Sequence, residues 1–91
     1  MIIGKVIGNV WATRKEESLN GLKLMVVRRL DLGAEGAGES FVAADCVGAG
    51  IGERVLVTTG SSARKAMNSP EMPVDAAIVG IIDEVEVRPE G

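Results

Sequence analysis

Only residues 61–67 have the makings of a helix, and the other apolar residues fall in short β-branched runs cut by glycine. The first run, over residues 2–13, sets the strongest constraint. Ile2, Ile3, Val6, Ile7 and Val10 dominate it, and Gly4 and Gly8 fall on one face at the two-residue period of a strand. Glycines so placed remove side chains where a barrel turns its corner or another backbone comes close, so the run predicts a strongly bent strand.

Residues 14–20 are polar, and Asn20-Gly21 supplies the chemistry for reversing the chain. A second strand is predicted over residues 22–31, where Leu22, Leu24 and Val26 alternate with their neighbours before Arg28 and Arg29 break the pattern. Gly33, Gly36 and Gly38 sit among small and acidic residues that cannot pack a core, which marks a loop. Residues 41–47 and 54–59 read as a third and a fourth strand joined by a tight glycine turn over residues 48–52.

The helix follows, with Ser61 or Ser62 placed to cap it and Ala63, Arg64, Lys65 and Ala66 favouring its continuation. Pro70 and Pro73 end it, and residues 76–87 form a last β-branched run with Gly80 in the middle. The expected fold is all-β: a small five-stranded OB-like barrel with one short helix between strands 4 and 5, as a single domain over residues 1–91.

Composition narrows the function. A 91-residue chain that is 46% hydrophobic has more apolar surface than one small core needs, which points to burial between subunits. A net charge of −3 with no Lys/Arg cluster along the chain offers no footprint for a phosphate backbone. Trp11 and Phe41 are the only aromatics, too few for a base-stacking groove, and are expected in the core or an interface. Cys46 is alone and reads as a small buried hydrophobe. The start lacks the form of a signal peptide, and no apolar run reaches the length of a membrane span, so a cytoplasmic protein is expected.

The motifs that hint at chemistry do not complete a site. Gly48, Gly50 and Gly52 miss the dinucleotide fingerprint because the third glycine comes one position early and a strand follows in place of a helix. They are better read as glycines that permit positive φ in a tight turn or at a crowded symmetry axis. Ser61 and Ser62 have no general base near them in sequence, and the chain has no His. Scattered carboxylates and a single Cys supply no metal site. Asp75 and Asp83 beside an apolar strand read as caps of turns or as partners of Arg, with ion pairs that bridge subunits expected for both. No catalytic, cofactor-binding or metal residue is expected.

Gly4-Lys5-Val6 with Gly8, Ser18-Leu19, Lys23-Leu24, Val47-Gly48-Ala49-Gly50 with Gly52-Glu53, and Val55-Leu56 occur in an order that resembles the EutN/CcmL family of microcompartment and carboxysome vertex proteins. Gly60-Ser61-Ser62-Ala63-Arg64, Pro73-Val74-Asp75-Ala76-Ala77 and Gly80-Ile81-Ile82-Asp83 extend the resemblance over nearly the whole chain. It implies an OB-like barrel forming a cyclic homopentamer that caps the five-fold points of a shell of hexagonal tiles, in the cytoplasm, without nucleic acid or membrane as partner. It further implies that Gly48, Ala49, Gly50, Ile51, Gly52, Ser61 and Ser62 lie at the opening on the axis, with Glu53 and Arg64 at subunit contacts. The other reading of such a barrel is an OB-type module that binds nucleic acid or another ligand.

Overall fold

The computed structural model describes residues 1–12, 17–19, 21–30, 38–68, 73–86 and 88. Five strands, β1 (Ile2–Val10), β2 (Leu24–Arg29), β3 (Ser40–Asp45), β4 (Arg54–Thr59) and β5 (Ala76–Ile81), close into a barrel in the order β1-β2-β3-β5-β4. A seven-residue helix, α1 (Gly60–Ala66), joins β4 to β5. The expected all-β barrel with a helix between strands 4 and 5 is the fold observed.

All neighbouring strands are antiparallel except β3 and β5, which meet in parallel over Ala44 opposite Ala77 and Asp45 opposite Ile78. Paired residues lead from Val10 through Leu24, Ala44, Ala77 and Thr58 back to the start of β1, where Ile2 faces Val57. One circuit thus slips the register by nearly the whole of β1, the stagger that closing so few strands demands. β1 is therefore long and bent, with a bulge between Val6 and Gly8. Gly4 serves a close approach, since a Cβ there would run into Val27 and the Arg28 carbonyl.

A narrow barrel is filled by a few side chains, most of them small here. The core comprises Val6, Met25, Val27, Ala43, Ala49, Val55, Val57, Ala76 and Ile78, with Ile2 and Phe41 packed against it. Along β2 and β4 burial alternates as a half-buried strand requires, with Met25, Val27, Val55 and Val57 facing in. The helix contributes the fully buried Ala63.

Several expected boundaries shift, each for a physical reason. β5 ends at Ile81, not at Val87, because Val55 opposite Ile81 is its last pair and the Ile82 N–H then closes on the Arg54 carbonyl, where β4 begins. β3 stops at Asp45 because its carboxylate Oδ1 accepts the N–H groups of Val47 and Gly48, both at 3.0 Å, and turns the chain. The glycine segment after it is not a hairpin turn, since β3 and β4 are not neighbours; it carries the chain across to the far side of β1. β2 spans less than expected, starting at Leu24; Leu22 lies in the turn that its N–H closes on the Leu19 carbonyl at 3.2 Å, with Gly21 at φ +86. Thr59, not a serine, occupies the helix N-cap position, and its side chain makes no capping bond. Asn20, Gly33, Gly36 and Pro70 lie outside the described residues.

Candidate functional site

The glycine segment is an internally bonded cap on the barrel. Gly48 and Gly52 take φ of +80 and +92, conformations that suit glycine, while Gly50 does not adopt positive φ. Gly50 and Glu53 close a turn, with the Glu53 N–H on the Gly50 carbonyl at 3.2 Å and the Gly50 N–H on the Glu53 carboxylate at 2.6 Å. The Gly52 N–H donates to the Val6 carbonyl at 2.8 Å and the Val6 N–H to the Glu53 carbonyl at 3.0 Å, which fastens the turn to β1.

A second clasp lies just before β2. Lys23 donates to the Ala49 carbonyl at 3.1 Å and stands 3.6 Å from the Asp45 carboxylate, whose side chain is 1% exposed. The Ala49 methyl is itself in the core.

Ile51 projects from the turn and is 62% exposed, and Trp11, just beyond β1, is 89% exposed. Both line one groove of about 460 Å³ together with Leu22, Lys23, Met25 and Gly50. Trp11 is thus not a core residue, because β1 ends before it and the barrel interior is already filled.

Ser61 and Ser62 are exposed on the first turn of α1. Gly60 takes φ +64 where strand turns to helix, and its N–H donates to the Asp75 carbonyl at 2.8 Å. The glycine turn precedes β4 and the serines follow it, so the six residues of β4 separate these two groups by about 17–20 Å. Among the contact residues expected from the sequence, Arg64 is half-buried, and Glu53, Asp75 and Asp83 are exposed. Asp83 meets Arg54 through its carbonyl, which accepts from the guanidinium at 3.3 Å. The structure therefore pairs Glu53 with the glycine turn, Asp75 with the helix start and Asp83 with Arg54.

Cys46 is exposed, contrary to the buried position expected, because the Asp45 turn carries it out of β3. Partial burial, and then the negative charge of Asp45, push its thiol above the usual range and so disfavour the nucleophilic thiolate. Among the described residues no three His, Cys, Asp or Glu side chains are grouped as metal ligands would be. Among the described residues no helix is long and apolar enough to cross a membrane.

Sequence reasoning missed the Lys23–Asp45 clasp, although Asp45 followed by Val47-Gly48 carries the signature of a side-chain-closed turn. It also missed the closeness of Lys5, Arg28 and Arg54, which lie on three different strands.

Residues 1–83 match the family described as ethanolamine utilisation protein EutN/carboxysome. The bacterial microcompartment shell vertex protein GrpN of Rhodospirillum rubrum is 51% identical over 94% of this chain and 97% of its own length. The carboxysome shell vertex protein CcmL of Synechococcus elongatus is 51% identical over 97% of this chain and 89% of its own. The solved structure of GrpN, described as a pentameric microcompartment shell protein, superposes with a TM-score of 0.86 over 97% of this chain and all of that one.

Proposed function

The chain belongs to the EutN/CcmL family, and from that premise we propose that it is a structural vertex protein, assembling as a cyclic pentamer at the five-fold points of a bacterial microcompartment shell. The observation that carries this reading is the likeness, in sequence and in fold, of the whole barrel to a pentameric shell protein. It gives a use to the apolar side chains that the isolated subunit leaves in water, Trp11 and Ile51 foremost. Head-to-tail contacts between identical subunits close into a ring when the rotation permits, and a sheet of hexagonal tiles closes into a shell only through five-fold points.

In this assembly the subunit does no chemistry and needs no cofactor. Its other partners are hexagonal shell proteins, and the assembled shell lies in the cytoplasm. The backbone of Gly48, Ala49, Gly50 and Gly52, the Ile51 side chain, and Ser61 and Ser62 line the opening on the axis. Because the glycine turn and the serines sit at opposite ends of β4, they line that opening at two heights along the strand. Glu53, Arg64, Asp75 and Asp83 lie toward the neighbouring subunits.

Native mass spectrometry of the purified chain tests the ring: the expected species has five times the chain mass, and monomers under all assembly conditions would sink the reading. Co-expression with hexagonal shell proteins tests the vertex role. Closed shells are expected with the chain present, and shells that close equally well without it would refute that role.

A further inference from the structure

Lys5 on β1 stands opposite Arg28 on β2 and, on its other flank, opposite Arg54 on β4. Residues directly opposed on neighbouring strands project from the same face. The adjacent Val6, Val27 and Val55 point into the core, so the three cations form a row on the outside of the barrel. With strands about 4.8 Å apart, the row spans roughly 10 Å. Opposed like charges repel, and among the described residues none of the three makes a salt bridge. A chain of net charge −3 thus carries a concentrated positive stripe that its linear sequence hides. Beside it lie the half-buried Ile3, Val26 and Leu56.

The same subunit carries a surface of opposite character. Beyond Ile82 the chain leaves the barrel as Asp83-Glu84-Val85-Glu86, with the acids exposed and Val85 half-buried. Glu84, Val85 and Glu86 alternate as a strand does, yet among the described residues they join no strand of their own subunit; only at its start does the segment touch the barrel, where the Asp83 carbonyl accepts from Arg54 at 3.3 Å. Among the described residues its only salt bridge joins Glu86 to Arg88 at 3.4 Å, between side chains 71% and 88% exposed.

We infer that Glu84 and Glu86 of one subunit lie across the Arg54, Lys5 and Arg28 row of a second copy of this chain. The inference rests on the ring reading. In a ring each subunit meets its neighbour through two different surfaces that must complement each other, and the row and the acidic segment are such a pair on one chain. In extended backbone Glu84 and Glu86 stand about 7 Å apart, a span the row accommodates. Nucleic acid fits the stripe less well, because no aromatic ring stands on this face: Phe41 packs against the core and Trp11 lies beyond the far end of β1.

Two double variants test the contact, Lys5→Glu with Arg28→Glu on the row and Glu84→Lys with Glu86→Lys on the segment, alone and combined. Native mass spectrometry and sedimentation at low and high salt read the ring, and circular dichroism follows folding. The second pair lies outside every strand, so its effect is free of barrel unfolding. Each pair alone is expected to weaken the ring at least about tenfold, and the combination to restore it to within about threefold of the parent. A ring indifferent to both pairs and to salt overturns the inference and leaves the vertex reading standing. Rings that persist but no longer join hexagonal shell proteins reassign the row to that partner. Salt-sensitive oligonucleotide binding that only the row variant loses reassigns it to nucleic acid. A parent chain that is monomeric throughout removes both readings together.

Discussion

Lys23 bridges the Asp45 carboxylate and the Ala49 carbonyl, and so ties the start of β2 to both ends of the turn that leaves β3. Nothing in the spacing of these residues along the chain announces the contact. It arises because Leu24 is paired with Ala44, which brings the residue before the one beside the residue after the other.

The two halves of this clasp contribute unequally. Asp45 accepts two backbone N–H groups with a side chain that is 1% exposed, whereas the Lys23 side chain is 55% exposed. Asp45→Ala is expected to cost about 2–3 kcal/mol in urea unfolding, and Asp45→Asn distinctly less because an acceptor oxygen remains. Lys23→Met is expected to cost under about 1 kcal/mol. Equal losses for Asp45→Ala and Lys23→Met would show that the ion pair, not the turn, stabilises this corner.

Among the glycines of the cap, backbone conformation separates two that look alike in sequence. Gly52→Val places a β-branched residue at φ +92 and is expected to cost about 1–2 kcal/mol or more. Gly50→Ala avoids that strain and meets only the Glu53 carboxylate, 3.2 Å from the added Cβ, which has room to shift. Thermal melts of the two variants check the order.

Ile78 is one of the largest fully buried side chains of a core otherwise built from Val, Ala and Met25. Ile78→Ala is expected to lose about 2–5 kcal/mol, measured by chemical denaturation. A loss below about 1 kcal/mol would mean that the barrel collapses freely around the gap.

Trp11 is the only tryptophan and is 89% exposed in the subunit, so its fluorescence reports assembly directly. Emission is expected to move to the blue as rings form on raising the concentration, and to stay at the red, water-exposed limit in any monomeric variant. Emission unchanged across that transition would place Trp11 outside the contact.

Cys46 is exposed but its thiol titrates above the usual range, through partial burial and then the charge of Asp45. A raised pKa means a smaller thiolate fraction at pH 8, so alkylation is expected to run slower than for a free thiol and to keep rising with pH beyond it. Asp45→Asn removes the charge and is expected to speed alkylation modestly. A rate plateau below pH 8 would contradict this.

How much of this was legible in the sequence depends on which forces act locally. The strands and the helix follow from β-branched runs and helix-favouring residues, all local signals, whereas the bulge between Val6 and Gly8 was not legible: it turns Gly8 to the outward face with Val26, off the inward face that Gly4 shares with Val27. The end of β5 was not legible, since Val85 and its neighbours keep a strand's alternation and only the start of β4 at Arg54 ends the pairing. The exposure of Trp11 was hidden for a similar reason: a large apolar residue following a strand looks like core until the narrow barrel is seen to be full. The row of Lys5, Arg28 and Arg54 is purely a product of register, and charge counting along the chain cannot find it.

The parallel meeting of β3 and β5 has a mechanical consequence. Only Ala44 opposite Ala77 and Asp45 opposite Ile78 join these strands, while each other pair of neighbours is joined over a longer ladder. The cylinder is therefore stitched with four long seams and one short one, and the short seam is its line of least stiffness. A ring of five such cylinders would carry five compliant lines, each able to yield slightly when neighbouring facets tilt, before any contact between subunits has to break.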